Sequence, residues 1–462
     1  RSATDPVTSQ GDLTDMVDSG KIIIHCQSSP LTGSISVPGD KSISHRAVML
    51  AALAEGTSII RNWLPAGDTL ATLEVIRALG VPVEVAERSP HSWELRIEGR
   101  GLHGLRKANA PLDCRNAGTA IRLLTGVMSG QSFSSVLDGS EQLRKRPMDR
   151  VTKPLQLMGA DIKAQDGHAP LTIRPAALYG VEYSMSVASA QVKSAILLAG
   201  LFTEDAVRVY QPGPARDHTE RLLMAMGTII TTQDGWVTLG DAPLGGRRLL
   251  PLDMTVPGDF SSAAFPLVAA TIVPQSDITI RQVGVNGTRI GLLDMLRAMG
   301  ADISINNQQV TGGELIADVR VKFSELQATD VSGPIVVRAI DELPVWAVVA
   351  ARAAGLSTVR DAAELRVKEV DRIAVLAGEL RRLGVTIDEH EDGFAIGGPQ
   401  HLRGAGVDSH DDHRLGMALA VAGLVADGVT LVDDAACMAD SFPGFVETMQ
   451  QLGASIQWVA VS

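Results

Sequence analysis

The chain has 462 residues, 45% of them hydrophobic and only 3% aromatic, which suits two or three domains with cores of aliphatic side chains and Ala. A net charge of −12 excludes a general nucleic-acid or membrane-surface binder but leaves room for a few Lys and Arg focused on a small anion. The three cysteines, Cys26, Cys114 and Cys437, are too few and too scattered for a disulfide framework or a zinc site, and every apolar run is interrupted before transmembrane length.

In chain order, residues 1–20 are rich in Ser, Thr, Asp and Gly and read as a disordered segment. Lys21–Cys26 and Ser34–Val37 then read as strands of a first unit. They are followed by an apolar helix at Ser42–Ala54, a strand at Ser58–Asn62 and a second helix at Asp68–Leu79 stopped by Gly80. Pro82–Glu87 and Ser92–Glu98 pair as strands. The unit recurs six times at a period of roughly 70–85 residues. Six apolar helices open on polar clusters: Gly39-Asp-Lys-Ser42, Asn116-Ala-Gly-Thr119, Ser189-Ala-Gln191, Gly258-Asp-Phe-Ser-Ser262, Asp341-Glu342 and Asp411-Asp-His-Arg414. Six second helices end in Leu79-Gly80, Met158-Gly159, Met226-Gly227, Met299-Gly300, Leu383-Gly384 and Leu452-Gly453.

The polar clusters sit at helix starts, where unpaired N–H groups and the positive dipole end favour anions. Six such starts around one cavity would make an anion-binding site. No low-complexity linker divides the chain, so the domain boundary falls inside the repeat. Crossings near Pro38–Lys41 and Thr255–Pro257 give a discontinuous domain, 21–40 plus 257–462, and a continuous one, 41–256, with a ligand cleft between them. Gly33 to Ser42 looks like a phosphate-binding P-loop but fails its spacing: five residues separate the glycines, and Asp40 splits Gly39 from Lys41.

Seven segments resemble the signatures of one family, in order over residues 21–462. They are Gly39-Asp-Lys-Ser-Ile-Ser-His-Arg46, Asn116-Ala-Gly-Thr-Ala-Ile-Arg122, Leu143-Arg-Lys-Arg-Pro147, Ser189-Ala-Gln-Val-Lys193, Arg216-Asp-His-Thr219, Arg366-Val-Lys-Glu-Val-Asp-Arg372 and Asp412-His-Arg414. The family is 5-enolpyruvylshikimate-3-phosphate synthase. The resemblance implies an α/β fold of two domains, each of three βαβαββ units in an inverse α/β barrel-like arrangement. It implies a transferase of aromatic amino-acid biosynthesis that moves the enolpyruvyl group of phosphoenolpyruvate to the 5-hydroxyl of shikimate 3-phosphate. No metal or organic cofactor, nucleic acid or membrane is implied, and a cytoplasmic monomer is expected.

By the same match, Lys41, Arg146, Arg372 and Arg414 hold phosphoenolpyruvate, with the backbone of Gly118 and Gln191 near it. Ser42, Arg46, Ser189, Ala190, Gln191, Arg216 and Lys368 hold shikimate 3-phosphate. Asp341 acts on the 5-hydroxyl as base or orienting acceptor, Glu369 carries the proton of the methylene carbon, and Lys41 and Lys368 stabilise the charged adduct. Like-charged Lys and Arg from both domains are expected to face the cleft and resist closure until an anion binds.

Some residues keep two readings. Arg122 is either an ion-pair partner or a ligand contact, and so is Lys193. His45, His218 and His413 read first as helix-start hydrogen-bonders, and Asp40 and Asp412 as helix caps that orient basic neighbours. Four positions depart from the family pattern: Arg115 for a glycine, Val370 for Ser or Thr, Asp440 for a lysine toward phosphoenolpyruvate, and Ala190 for a serine. Two alternatives stand beside the main reading. UDP-N-acetylglucosamine enolpyruvyl transferase would need a reactive cysteine where Glu141 stands. A non-enzymatic six-repeat ring around DNA would need basic residues along whole helix faces.

Overall fold

The computed structural model describes residues 20–243 and 246–460. The disordered reading of 1–20 falls outside the described residues except at Gly20, whose carbonyl accepts a hydrogen bond from the Ala435 amide at 2.5 Å. The six apolar stretches are the helices Lys41–Leu53, Gly118–Ser129, Ala190–Gly200, Phe260–Ile272, Leu343–Arg352 and His413–Leu424. Such helices are apolar all round because they are central: every residue of Phe260–Ile272 is buried. That helix packs on Leu343–Arg352 and His413–Leu424, while Gly118–Ser129 packs on Lys41–Leu53 and Ala190–Gly200. The second helices all stop at glycines with φ between +83° and +99°, at 80, 159, 227, 300, 384 and 453. A left-handed residue there lets the chain turn back into its strand pair without a Cβ penalty.

Among the described residues, six four-stranded sheets follow one plan. A first strand runs parallel to a second, and the second and fourth run antiparallel to the third. Three units supply their own strands, as in Leu112–Asp113, Ser135–Asp138, His168–Arg174 and Asp161–Gln165. The others exchange them. Thr32–Ser36 pairs with Asp277–Gly284 of the fourth unit, and Asp253–Thr255 pairs with Glu55–Trp63 of the first. Ile22–His25 inserts between Val429–Asp433 and Ile456–Trp458 of the last. The assignment of the two N-terminal strands to the first unit is therefore corrected. Local pattern identifies a strand, but its partners are a long-range choice.

Two hydrophobic cores result, one from residues 22–37 and 260–456, the other from 43–256. The chain passes between them twice, and the passages bond to each other. The Asp40 amide donates to the Pro257 carbonyl and the Asp259 amide to the Pro38 carbonyl, both at 2.8 Å. Asp40 and Asp259 cap the helices that follow, at 2.9 Å to the Ile43 amide and 2.7 Å to the Ser261 amide. Arg289, itself buried, reaches Asp259 at 3.0 Å and Asp40 at 3.5 Å. One guanidinium thus holds two capping carboxylates, a geometry that leaves no buried charge alone.

The glycine stops give a graded expectation. A Cβ at Gly384 would meet nothing closer than the His401 carbonyl at 3.9 Å, so Gly384→Ala should lose only the left-handed strain, about 1 kcal/mol. At Gly159 the Cβ would lie 2.5 Å from the Ala177 carbonyl, so Gly159→Ala should lose distinctly more. Urea unfolding of both variants decides it, and equal losses would count against the steric difference.

Candidate active site

The starts of all six apolar helices meet at one cavity of ≈ 300 Å³ between the two cores. Lys41 and Ser42 come from the first, Gly118 and Thr119 from the second, Ser189–Gln191 from the third, and Asp259, Asp341 and His413–Arg414 from the last three. Of the residues singled out in the sequence, Lys41, Ser42, Gly118, Arg146, Ser189, Ala190, Gln191, Arg216, Asp341, Lys368, Glu369, Arg372 and Arg414 line this cavity. Arg46 does not. It lies behind the wall, donating to Thr219 Oγ1 at 2.7 Å, Ser194 Oγ at 3.0 Å and the Ser42 carbonyl at 2.9 Å. Burial lowers its pKa to about 10.

The two open readings separate. Lys193 is buried outside the cavity lining, 2.6 Å from Glu220 Oε1 and 2.8 Å from Gln211 Oε1. Arg122 lines the cavity, donates to Gln191 Oε1 at 2.6 Å, and has no carboxylate at ion-pair distance among the described residues. Sequence reasoning missed Asp68, Arg150, Glu364 and Asp361, which also line it. Arg150 stands four residues past Arg146, in the first turn of the helix Asp149–Leu157, and Asp68 is the acid in the first turn of a second helix, so both left a trace. Arg115 takes φ 49°, the left-handed backbone that its place before Asn116 called for.

Asp341 is the electrostatic centre. It pairs with Arg216 and lies 3.4 Å from Arg372 Nη1, 3.6 Å from Arg414 Nη2 and 3.8 Å from Lys368 Nζ. Burial works against its charge, but Arg414, Arg216, Lys368 and Arg372 together hold it well below the ordinary carboxylate range. Glu369 is bonded to Arg372 at 2.6 Å. Its burial is outweighed by Arg372, with Arg146 and Lys368, which keep it ionised. Lys41 sits 2.5 Å from Asp68, which overrides burial and raises the lysine. Lys368 goes the other way, lowered by burial despite Asp341. Burial, with Lys41 and Arg414 beside it, brings His413 down to about 3, so its imidazole is neutral at pH 7. Asp412 caps its helix at the Arg414 amide, 2.9 Å, and fixes Arg372 Nε at 2.7 Å.

Nine Lys and Arg and six carboxylates line the cavity among the described residues, an excess of three positive charges in an acidic chain. They are unevenly divided. The 43–256 side, with Lys41, supplies five cations and one acid; the other side supplies four cations and five acids. Three ion pairs cross the gap: Arg216 with Asp341, Arg146 with Glu369 at 3.9 Å, and Arg150 with Glu364 at 3.6 Å. The expected like-charge repulsion is therefore corrected. The faces attract, because carboxylates of one side stand opposite arginines of the other. Among the described residues no group of three or more His, Cys, Asp or Glu could hold a metal ion, and no helix is long and apolar enough to cross a membrane.

Fold and site together define a two-domain α/β protein built to take small anionic ligands in an interdomain cleft. A sequence profile described as EPSP synthase (3-phosphoshikimate 1-carboxyvinyltransferase) matches residues 26–449. A 3-phosphoshikimate 1-carboxyvinyltransferase of Geobacter sp. (strain M21) is 51% identical over 419 residues, 90% of this chain and 96% of its own. One from Desulforamulus reducens is 48% identical over 91% of this chain and 97% of its own. The solved structure of EPSP synthase from Acinetobacter baumannii is similar with a TM-score of 0.85 at 40% identity, over 95% of this chain and 99% of that one. The chain belongs to the EPSP synthase family.

Asp440, placed where a lysine was expected, lies 3.2 Å from where a Cβ on Gly67 would sit. Burial raises its pKa to about 6, with Lys41 opposing and Asp68, Asp411 and Glu369 adding to the rise. Its folded pKa exceeds its ordinary 3.8, so its charge costs stability in full above about pH 6, and the cost shrinks as pH falls from that value toward 3.8. Asp440→Asn should therefore raise stability at pH 8 by on the order of 1 kcal/mol and by less at pH 5, where the gain is already fading toward the ordinary 3.8. Urea midpoints at the two pH values test this; a gain independent of pH would disprove the assignment.

Proposed function

We propose that the protein transfers the enolpyruvyl group of phosphoenolpyruvate to the 5-hydroxyl of shikimate 3-phosphate, releasing 5-enolpyruvylshikimate 3-phosphate and phosphate. The observation that carries this reading is the meeting of six helix starts and nine cations at one cavity. That arrangement suits two phosphates and two carboxylates. Shikimate 3-phosphate would take Ser42, Ser189, Ala190, Gln191 and Arg216, with Lys368. Phosphoenolpyruvate would take Lys41, Arg146, Arg372 and Arg414 beside the Gly118 backbone. Arg46 acts through Ser42, whose carbonyl it holds.

The 5-hydroxyl oxygen attacks the central carbon of phosphoenolpyruvate, with Asp341 accepting or orienting its proton, and the methylene carbon gains a proton. The tetrahedral adduct then loses that proton and expels phosphate. Glu369 carries the carbon-bound proton. In the empty cleft its arginines hold it ionised; anions that share Arg372 and Arg146 leave it less tightly held and raise its proton affinity. Lys41 and Lys368 balance the charge of the adduct. The bodies that close are 21–40 plus 257–462 and 41–256. The enzyme works as a monomer in the cytoplasm, a reducing compartment that suits the buried, unpaired Cys114 and Cys437. Two features weigh against a UDP-N-acetylglucosamine transferase: Glu141 is exposed and is not a thiol.

Phosphate should appear only when both substrates are mixed; release from either alone, or from neither, rejects the reading. Glu369→Gln should lower turnover by roughly 10²–10⁴ with shikimate 3-phosphate binding retained. Arg216→Ala should weaken that binding by about 1.5–3 kcal/mol, and calorimetry showing normal affinity would misplace the phosphate.

Glyphosate, an anionic stand-in for phosphoenolpyruvate in this family, should compete with that substrate here. A Cβ at Gly118 would lie 3.0 Å from Arg146 Nη1 and 3.4 Å from Arg122 Nη1, so Gly118→Ala crowds the anion's own ligand. Inhibition titrations at fixed phosphoenolpyruvate should show relief in Gly118→Ala. Equal inhibition constants in wild type and variant would refute the steric explanation.

A further inference from the structure

Beside the two chain crossings and the ion pairs across the cleft, the halves are also joined by a hairpin. The strands Asp302–Thr311 and Glu314–Lys322 form a hairpin of the discontinuous half, and its tip lands on the other half. Thr311 Oγ1 accepts from the Thr255 amide at 3.0 Å and donates to the Thr255 carbonyl at 3.1 Å. Arg221 Nη1 donates to the Gly313 carbonyl at 3.1 Å. Past the turn, Glu314 is 1% exposed, with His218 Nδ1 at 2.7 Å from Oε1 and Asn286 Nδ2 at 3.0 Å from Oε2. Asn286 Nδ2 also reaches Asp217 Oδ1 at 2.7 Å, and Arg221 Nε reaches the same oxygen at 2.9 Å.

Of these partners, Asp217, His218 and Arg221 form the cap and first turn of the helix His218–Ala225, and Arg216 is the residue just before its cap. Arg216 is also the arginine that crosses the cleft to Asp341. The hairpin tip therefore fixes the backbone that aims Arg216, from the same half that carries Asp341. We propose that Glu314 and His218 are positioning residues for Arg216, setting the angle at which it meets the anionic group of its substrate. In the transferase reading, on which this rests, that group is the phosphate of shikimate 3-phosphate. The pair touches no substrate itself. Its bland alternative is a buried strut that supports folding alone, and the two differ in what they do to one substrate.

Glu314→Gln keeps the shape but turns an amide donor toward Asn286 or His218. It should raise KM for shikimate 3-phosphate at least tenfold and leave kcat and KM for phosphoenolpyruvate within threefold. On an Arg216→Ala background the same substitution should add less than threefold. His218→Asn, which keeps a donor near the Nδ1 position, should restore most of the affinity that His218→Ala loses. A substrate-free arm accompanies these: hydrogen exchange of residues 214–224 should quicken in Glu314→Gln. Faster exchange with unchanged affinity, a general loss in both KM values, or additivity with Arg216→Ala would each overturn the proposal. Failure of the wild type to release phosphate from the two substrates would instead reject the functional reading, and the exchange arm, which needs no turnover, keeps the two failures apart.

Discussion

One buried carboxylate organises the cleft. Asp341 draws Arg216 from one half and Lys368, Arg372 and Arg414 from the other, and for Arg216, Lys368 and Arg414 it is the one carboxylate at ion-pair distance among the described residues. Arg372 passes the constraint on, since it also holds Glu369 and Asp412, and Asp412 caps the helix that carries Arg414. Moving any one of these groups leaves another buried charge short of a partner. The site is thus preorganised by its own countercharges, and an incoming dianion exchanges with carboxylates already in place instead of entering an uncompensated positive hole.

The hinge obeys the same rule on a smaller scale. Arg289 joins Asp40 to Asp259, and each aspartate caps a helix whose start faces the ligand space. The two crossings are therefore neither loose linkers nor independent. A rotation about them carries two helix starts together and keeps the anion-facing amides in register.

Much of this was legible in the residues. Helices that are central are apolar on every face, and the six polar clusters stand out against them. The six glycine stops are equally plain, because only a left-handed residue lets the second helix turn back. The strand exchange was not legible: Thr32–Ser36 and Asp253–Thr255 look like ordinary first strands, and nothing local tells them to pair in each other's unit. The sign of the force across the cleft was misread for a similar reason. Counting Lys and Arg in motifs overlooked Glu364 and Asp68, and gave no hint that Asp341 and Glu369 would face arginines of the other half. Arg46 shows the limit of reading a helix face. Its spacing from Ser42 is right, yet the side chain bends back to that residue's carbonyl and to Thr219.

Ile22–His25 occupies an interior position in the last sheet, flanked by Val429–Asp433 and Ile456–Trp458. During synthesis from the N-terminus, this strand emerges some four hundred residues before its neighbours. The stretch from 43 to 256 can bury its own core while the discontinuous half still lacks its final unit. For that interval an apolar β-segment with two unpaired edges must be kept from other chains. The closing sheet thus records an order of assembly: Ile22–His25 is made long before the strands on either side of it, and it waits unpaired until they follow.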